Sequence, residues 1–378
     1  MTGTPTPRSR PPRTHLLRAL ALPLLGLALL GASLPAAGQD RPVGRHHGGD
    51  HLGAVPVPVP VRDGARGGGA SRVARPVVSP YLSLGWGDPP APAVLLPATG
   101  VDGFTFAFVL SAGHCEPRWD GVRPLRGGAD ERAVRAVRAA GGEPIVSFGG
   151  GTGRKLEQDC ADAAALAGAY RKVIGAYGLR AIDVDIETSA YASAAARRKT
   201  VEALARVRAA EPGLTVHVTL PSGRTGPDAR LIDAAARAGV EPDSWTIMPF
   251  AFGSPPRNEA EVQEARRVDM ARATVRAAEG LAARLRSAYG YDEATAWAHS
   301  GISTMNGITG HQEVIGPGDF RVIARFARAH GLARLAFWSV NRDRPCGGLP
   351  YPAQDRCSGV PQRPWEFTRA LTRPERPR

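Results

Sequence analysis

The chain has 378 residues, 43% of them hydrophobic, enough for one large domain or two small ones. Its formal net charge is +13, but only Lys155, Lys172 and Lys199 are lysines and the arginines are scattered along helical stretches. A scattered charged face is a solvated face, and no nucleic-acid motif accompanies it, so a nucleic-acid partner is set aside.

Read from the start, Arg8, Arg10, Arg13 and Arg18 precede an apolar run from Ala19 to Ala32. At about 14 residues the run is too short to span a bilayer, which needs ~20. Small residues follow, with Ala36 and Gly38 placed for cleavage, so residues 1–38 read as an export signal. Secretion is expected, with no stable membrane insertion after cleavage. Residues 39–75 are rich in Pro, Gly, Arg and His and keep no helical or strand period, the mark of a linker or disordered arm. The His-rich stretch within them is not assigned as a metal site.

From residue 76 to 378 the texture changes. Eight short apolar runs read as strands: Val77–Leu84, Gly103–Leu110, Pro144–Gly150, Ala181–Glu187, Leu214–Leu220, Trp245–Phe252, His299–Met305 and Leu332–Val340. Amphipathic helical stretches fill most gaps: 130–142, 161–178, 193–213, 227–239, 264–290 and 317–331. This alternation predicts an α/β fold, a (β/α)8 TIM barrel. An open doubly wound sheet is the other candidate, but it lacks a Gly-x-Gly-x-x-Gly turn after the first strand.

Four cysteines fall in the barrel region: Cys115, Cys160, Cys346 and Cys357. In an exported chain an even count predicts two disulfides, and three pairings are open. The close spacing of Cys346 and Cys357 favours one local staple, which would leave Cys115 for Cys160.

The fourth run carries the chemistry. In a strand, residues i, i+2 and i+4 share a face, so Asp183, Asp185 and Glu187 point one way and Ile182, Val184 and Ile186 the other. Three acids inside a barrel cost too much to be kept for stability, so the ladder reads as functional. A single metal ion fits it poorly. The outer two backbones are about 13 Å apart, whereas ligand oxygens must converge to about 2.0–2.6 Å. No metal and no cofactor are assigned. A graded proton relay fits better, with Asp183 deepest and Glu187 at the mouth acting as acid.

Asp-x-Asp-x-Glu at the fourth strand resembles the pattern of glycoside hydrolase family 18 chitinases, in particular a bacterial and archaeal subgroup. Ser147-Phe148-Gly149-Gly150 at the third strand, the methionine segment at Met248 and Trp338 at the eighth strand are similar to that family in barrel order. So are the segments His114–Gly121 and Ser303–Ile308, the latter with Met305. The resemblance implies a retaining mechanism in which the substrate's own acetamide is the nucleophile. It gives Glu187 the role of acid and then base, Asp185 that of orienting the acetamide, and Asp183 a proton shared with Asp185. It implies chitin or an N-acetylglucosamine-containing oligosaccharide as partner, with Trp338 as the floor under the sugar. Ser147, Met248, Met305 and Phe250 are the further substrate-binding candidates. A monomer is expected, and an endo-β-N-acetylglucosaminidase variant of the activity is compatible.

The chain departs from the pattern where Phe250 and Ala251 stand in place of a tyrosine–aspartate pair, and at Thr309 and Gly310. Arg180-Ala181 likewise replaces an aspartate–glycine pair. The last affects only the strand entry, whereas the departures at Phe250, Ala251, Thr309 and Gly310 imply fewer hydrogen bonds to the sugar. They give the second expectation, a secreted glycan-binding barrel with weak or no turnover.

Overall fold

The structure, a computed structural model, describes residues 75–348 and 356–373. The expected export signal and all of the linker but Arg75 lie outside the described residues. Eight parallel strands form a curled sheet, labelled here β1 (Val77–Val78, resuming at Tyr81–Ser83), β2 (Gly103–Ser111), β3 (Glu143–Gly149) and β4 (Ala181–Asp185). They continue as β5 (Thr215–Gly223), β6 (Ser244–Met248), β7 (Ser300–Met305) and β8 (Arg334–Trp338). Each pairs with the next in sequence. The first strand closes the ring by dividing its pairing. Val77 is in register with Arg334 of β8, and Tyr81 is in register with Thr105 of β2. Every run read as a strand from sequence is therefore a strand of the barrel.

The outer layer is α1 (Pro92–Thr99), α2 (Ala129–Ala139), α3 (Ala163–Tyr177), α4 (Ala194–Ala210), α5 (Arg230–Arg237), α6 (Met270–Tyr289), α7 (Pro317–His330) and α8 (Glu366–Thr372). Local chemistry sets their ends. Asp162 caps α3 by accepting from the Ala165 amide, and Asp269 caps α6 by accepting from the Arg272 amide. Gly178 and Gly331 end α3 and α7 in the left-handed conformation that glycine tolerates. The helix expected over 264–290 is two helices, Glu259–Arg266 and α6, because Asp269 leaves helical geometry to serve as that cap. The sequence reading assigned neither α1 nor α8. Helix α1 is apolar nearly all round and carries Pro97, so it shows no helical stripe.

The core lies between sheet and helices. On β4 and just beyond it, Ile182, Val184 and Ile186 are each at most 1% exposed and join that core. Full burial of such side chains contributes about 1.5–3 kcal/mol each. Their alternation turns the intervening acids towards the barrel axis. Two disulfides, Cys115–Cys160 and Cys346–Cys357, pin loops beside the strand ends. Among the described residues no helix is long and apolar enough to cross a membrane.

Candidate active site

A cleft of about 550 Å³ opens over the carboxyl ends of the strands, where barrels of this type place their chemistry. Asp185 and Glu187 reach it from β4 and the residues just after it, and Met248, Phe250, Met305 and Trp338, singled out in the sequence, line it. Trp338 stacks on Phe108 (centroids 5.5 Å apart, planes at 12°) and meets the edge of Trp86 at 5.9 Å. Tyr81 packs against both Trp338 and Phe108, giving a continuous aromatic floor that ends in the exposed Trp86. Phe108, Trp86 and Tyr81 were not singled out in the sequence.

The three acids differ in their surroundings. Asp183 is wholly buried. One of its oxygens accepts from Tyr81 (2.8 Å) and Ser147 (2.6 Å), and the other accepts from Thr219 (2.7 Å) and the Arg334 guanidinium (2.6 Å). Burial alone would push its carboxyl up. Arg334 and the three hydroxyls outweigh burial and hold it below the ordinary carboxylate range. Asp183 is therefore an ionised, saturated anchor. Ser147, expected at the substrate, is instead fully buried beneath the cleft and spends its hydroxyl on this anchor.

Asp185 is 3% exposed, and its Oδ1 has no hydrogen-bond partner among the described residues. Burial, then the neighbouring Glu187 and Asp183, push its carboxyl far above the ordinary range. The two aspartates expected to share a proton are thus pushed in opposite directions, Asp183 down and Asp185 up. Glu187 follows the strand in extended geometry (φ −143°) and starts the short helix Thr188–Ala192. Burial pushes its carboxyl up to about 6, against the pull of Lys155. A carboxyl poised there can give and retake a proton near neutral pH.

Several contributors escaped the sequence reading. Arg334 lies 151 residues from Asp183. Yet strand alternation places Arg334, Ala336 and Trp338 on one face of β8, so the inward cation was recoverable from the pattern. Thr219 stands opposite Asp185 in the β4–β5 register. His217, also on β5, is driven down to about 3 by burial and then by Arg334, and stays neutral.

Where Phe250 and Ala251 lack polar side chains, another residue acts. The Glu313 carboxylate, 2% exposed, accepts from the amides of Ala251 (2.8 Å) and Phe252 (2.8 Å) and from the Thr309 hydroxyl (2.7 Å). It clamps the β6 loop to the loop after β7, with Ala251 held at φ +54°. Thr309 is buried in this clamp, whereas Gly310 and His311 line the cleft. Among the described residues no group of three or more His, Cys, Asp or Glu side chains is placed to hold a metal.

No family model matches the chain. Two curated relatives do: a probable bifunctional chitinase/lysozyme of Escherichia coli, 27% identical over 282 residues, and endochitinase 11 of Metarhizium anisopliae, 25% identical over 278 residues. The matches cover 72% and 71% of this chain but only 31% and 53% of those proteins. The chain thus spans less than two thirds of the length of either. Among solved structures it is similar to the catalytic domain of the hyperthermophilic chitinase from Pyrococcus furiosus. The TM-score is 0.66 and the identity 26%, over 79% of this chain and 96% of that one. The resemblance read from the sequence and the fold therefore agree: the barrel is chitinase-like.

Proposed function

From this chitinase-like barrel we propose a secreted hydrolase of β-1,4-linked N-acetylglucosamine polymers, chitin or its oligosaccharides, acting with retention through the substrate's own acetamide. The observation that carries the proposal is the split of the β4 acids. Glu187, with its carboxyl near 6, stands beside a buried Asp185 whose Oδ1 is unpartnered, above an aromatic floor.

Glu187 donates its proton to the glycosidic oxygen as the bond to the anomeric carbon breaks. The acetamide carbonyl oxygen forms the new bond to that carbon. The unpartnered Asp185 Oδ1 accepts a hydrogen bond from the acetamide N–H, which orients the acetamide and strengthens as positive charge develops on the oxazolinium ion. The Glu187 carboxylate then takes a proton from water, which attacks the same carbon and restores the acetamide. The apolar face of the sugar rests on Trp338. The apolar run at residues 19–32 and the two disulfides support export, because disulfides persist in oxidising compartments.

A second reading, a glycan-binding barrel without turnover, is favoured by one observation. The β6 loop presents Phe250 and Ala251 to the cleft, and the Ala251 amide is already taken by Glu313. Hydrolysis of N-acetylchitooligosaccharides by the parent and by Glu187→Gln separates the two. Product of retained anomeric configuration from the parent alone supports the hydrolase. Binding without product from either protein supports the binder.

A further inference from the structure

Lys155 is not one of the β4 acids and was not anticipated from the sequence, yet it is only 2% exposed, behind the Gly151–Thr152 segment that lines the cleft and bonded to the Thr152 carbonyl. A buried ammonium is costly unless its protons and its charge are both answered. Its protons go to three main-chain carbonyl oxygens, those of Gly149 (3.3 Å), Gly150 and Thr152. These carbonyls belong to the turn that leaves β3. Gly149 and Gly150 take φ of +106° and +84°, where a side chain would be strained. The Gly150 amide donates to the Asp185 carbonyl at 2.8 Å. Gly151 then lies against the acid itself, since a Cβ there would stand 3.4 Å from Glu187 Oε1. One cation thus gathers the turn on which the acid rests.

Its charge is answered at longer range. Burial draws the Lys155 ammonium below its ordinary range, while Glu157, then Glu187 and Asp185, support it. Glu157 is 1% exposed, and burial pushes its carboxyl up against Lys155 and Lys199, which biases it towards the neutral form. Glu187 and Asp185 share the field of Lys155 with it. The other titratable groups around the pair are committed elsewhere. Asp183 and Arg334 neutralise each other, burial and Asp183 keep the Tyr81 hydroxyl protonated, and His217 is neutral. His311 faces the cleft from the loop after β7.

We infer that Lys155 is a positioning residue, a fixed buried cation that seats the Gly149–Thr152 turn on Glu187 and offsets the negative charge of the Asp185–Glu187 pair. The inference rests on Glu187 being the acid of the proposed reaction, but its test does not need turnover. Glutamate carboxyls of the full chain are labelled with carbon-13 and titrated by NMR, with Glu187→Gln identifying the signal. The parent midpoint is expected at about 6. Lys155→Met should raise it by about one pH unit, the size of effect an opposite charge nearby exerts. Lys155→Arg, which keeps the charge, should return the midpoint to the parent's. An unmoved midpoint in the Met variant, or a Met-like midpoint in the Arg variant, overturns the inference. In the parent, the Lys155 Cε signal should also inflect at the Glu187 midpoint, and that inflection should vanish in Glu187→Gln. A flat Lys155 trace overturns the inference even if Lys155→Met does not fold. A parent that titrates as expected but releases no product sinks the hydrolase reading and leaves this one intact.

Discussion

The two ends of the acid ladder that starts on β4 carry the same chemical group in opposite conditions. At the deep end Asp183 accepts four hydrogen bonds, one of them from Arg334, and is held ionised. At the mouth Asp185 is buried beside Glu187 with an oxygen unpartnered, and both carboxyls are pushed upward. About 13 Å of strand separates an anchor from a proton donor. The difference teaches that burial alone does not decide a carboxyl's charge. Burial raises all three, and only the one bonded directly to a buried cation and to hydroxyl donors overcomes it.

The sharpest break of this contrast is at the mouth. Glu187→Gln keeps shape and removes the proton donor. Hydrolysis of chitooligosaccharide should fall by about 10³-fold or more, while the urea midpoint holds or rises. At the deep end the effect should be the reverse. Asp183→Ala leaves the Arg334 guanidinium buried without a counter-charge, and loss of one partner of such a pair costs about 3–5 kcal/mol. Equilibrium urea unfolding measures it. A cost under about 1 kcal/mol, the range of a surface pair, would mean that Asp183 is not the anchor described.

Asp185→Asn sharpens the comparison from the other side. It keeps the buried volume and replaces the Asp185 carboxyl proposed to accept the acetamide N–H. A rate loss of about 10²–10³-fold is expected, with stability unchanged or slightly raised. Loss of stability comparable to that of Asp183→Ala would erase the distinction between the two positions.

The smallest effect is the most diagnostic, because the two ends respond to pH with opposite sign. Asp183 has a depressed folded value, so its contribution is present above its ordinary value of 3.8 and is lost as pH falls through the lower folded value. Glu187 has a raised folded value. Its contribution is complete below 4.5 and is lost as pH rises through about 6, which amounts to about 2 kcal/mol. The stability of the parent relative to Glu187→Gln should therefore decline between pH 4.5 and about 6. If Glu187 is the acid, kcat/KM should fall over the same upper limb.

Much of this was legible in the sequence, for physical reasons that can be named. Short apolar runs between helical stretches carried the eight strands, and a period of two in the fourth put Asp183, Asp185 and Glu187 on one face. Helical periodicity carried α2 to α7, but α1 has no polar stripe to reveal it. The partners of the acids were harder because they are non-local. Tyr81, Thr219 and Arg334 lie on three different strands, and only the closed ring brings them to Asp183. A buried acid demands a cation, and the inward position of Arg334 on β8 could have supplied one. Lys155 gave no periodic signal, since it sits in an irregular turn where direction is set by glycine conformation. Glu313 was hidden for a similar reason: its carboxylate serves main-chain amides 61 and 62 residues away.

The most direct test of the division along β4 is a carbon-13 titration of the Asp183 and Asp185 carboxyls in the parent protein. The account predicts that Asp183 stays ionised below pH 3.8 while Asp185 keeps its proton well above it. Two signals that titrate together near pH 3.8 would contradict it, because neither the anchor nor the poised proton would then exist.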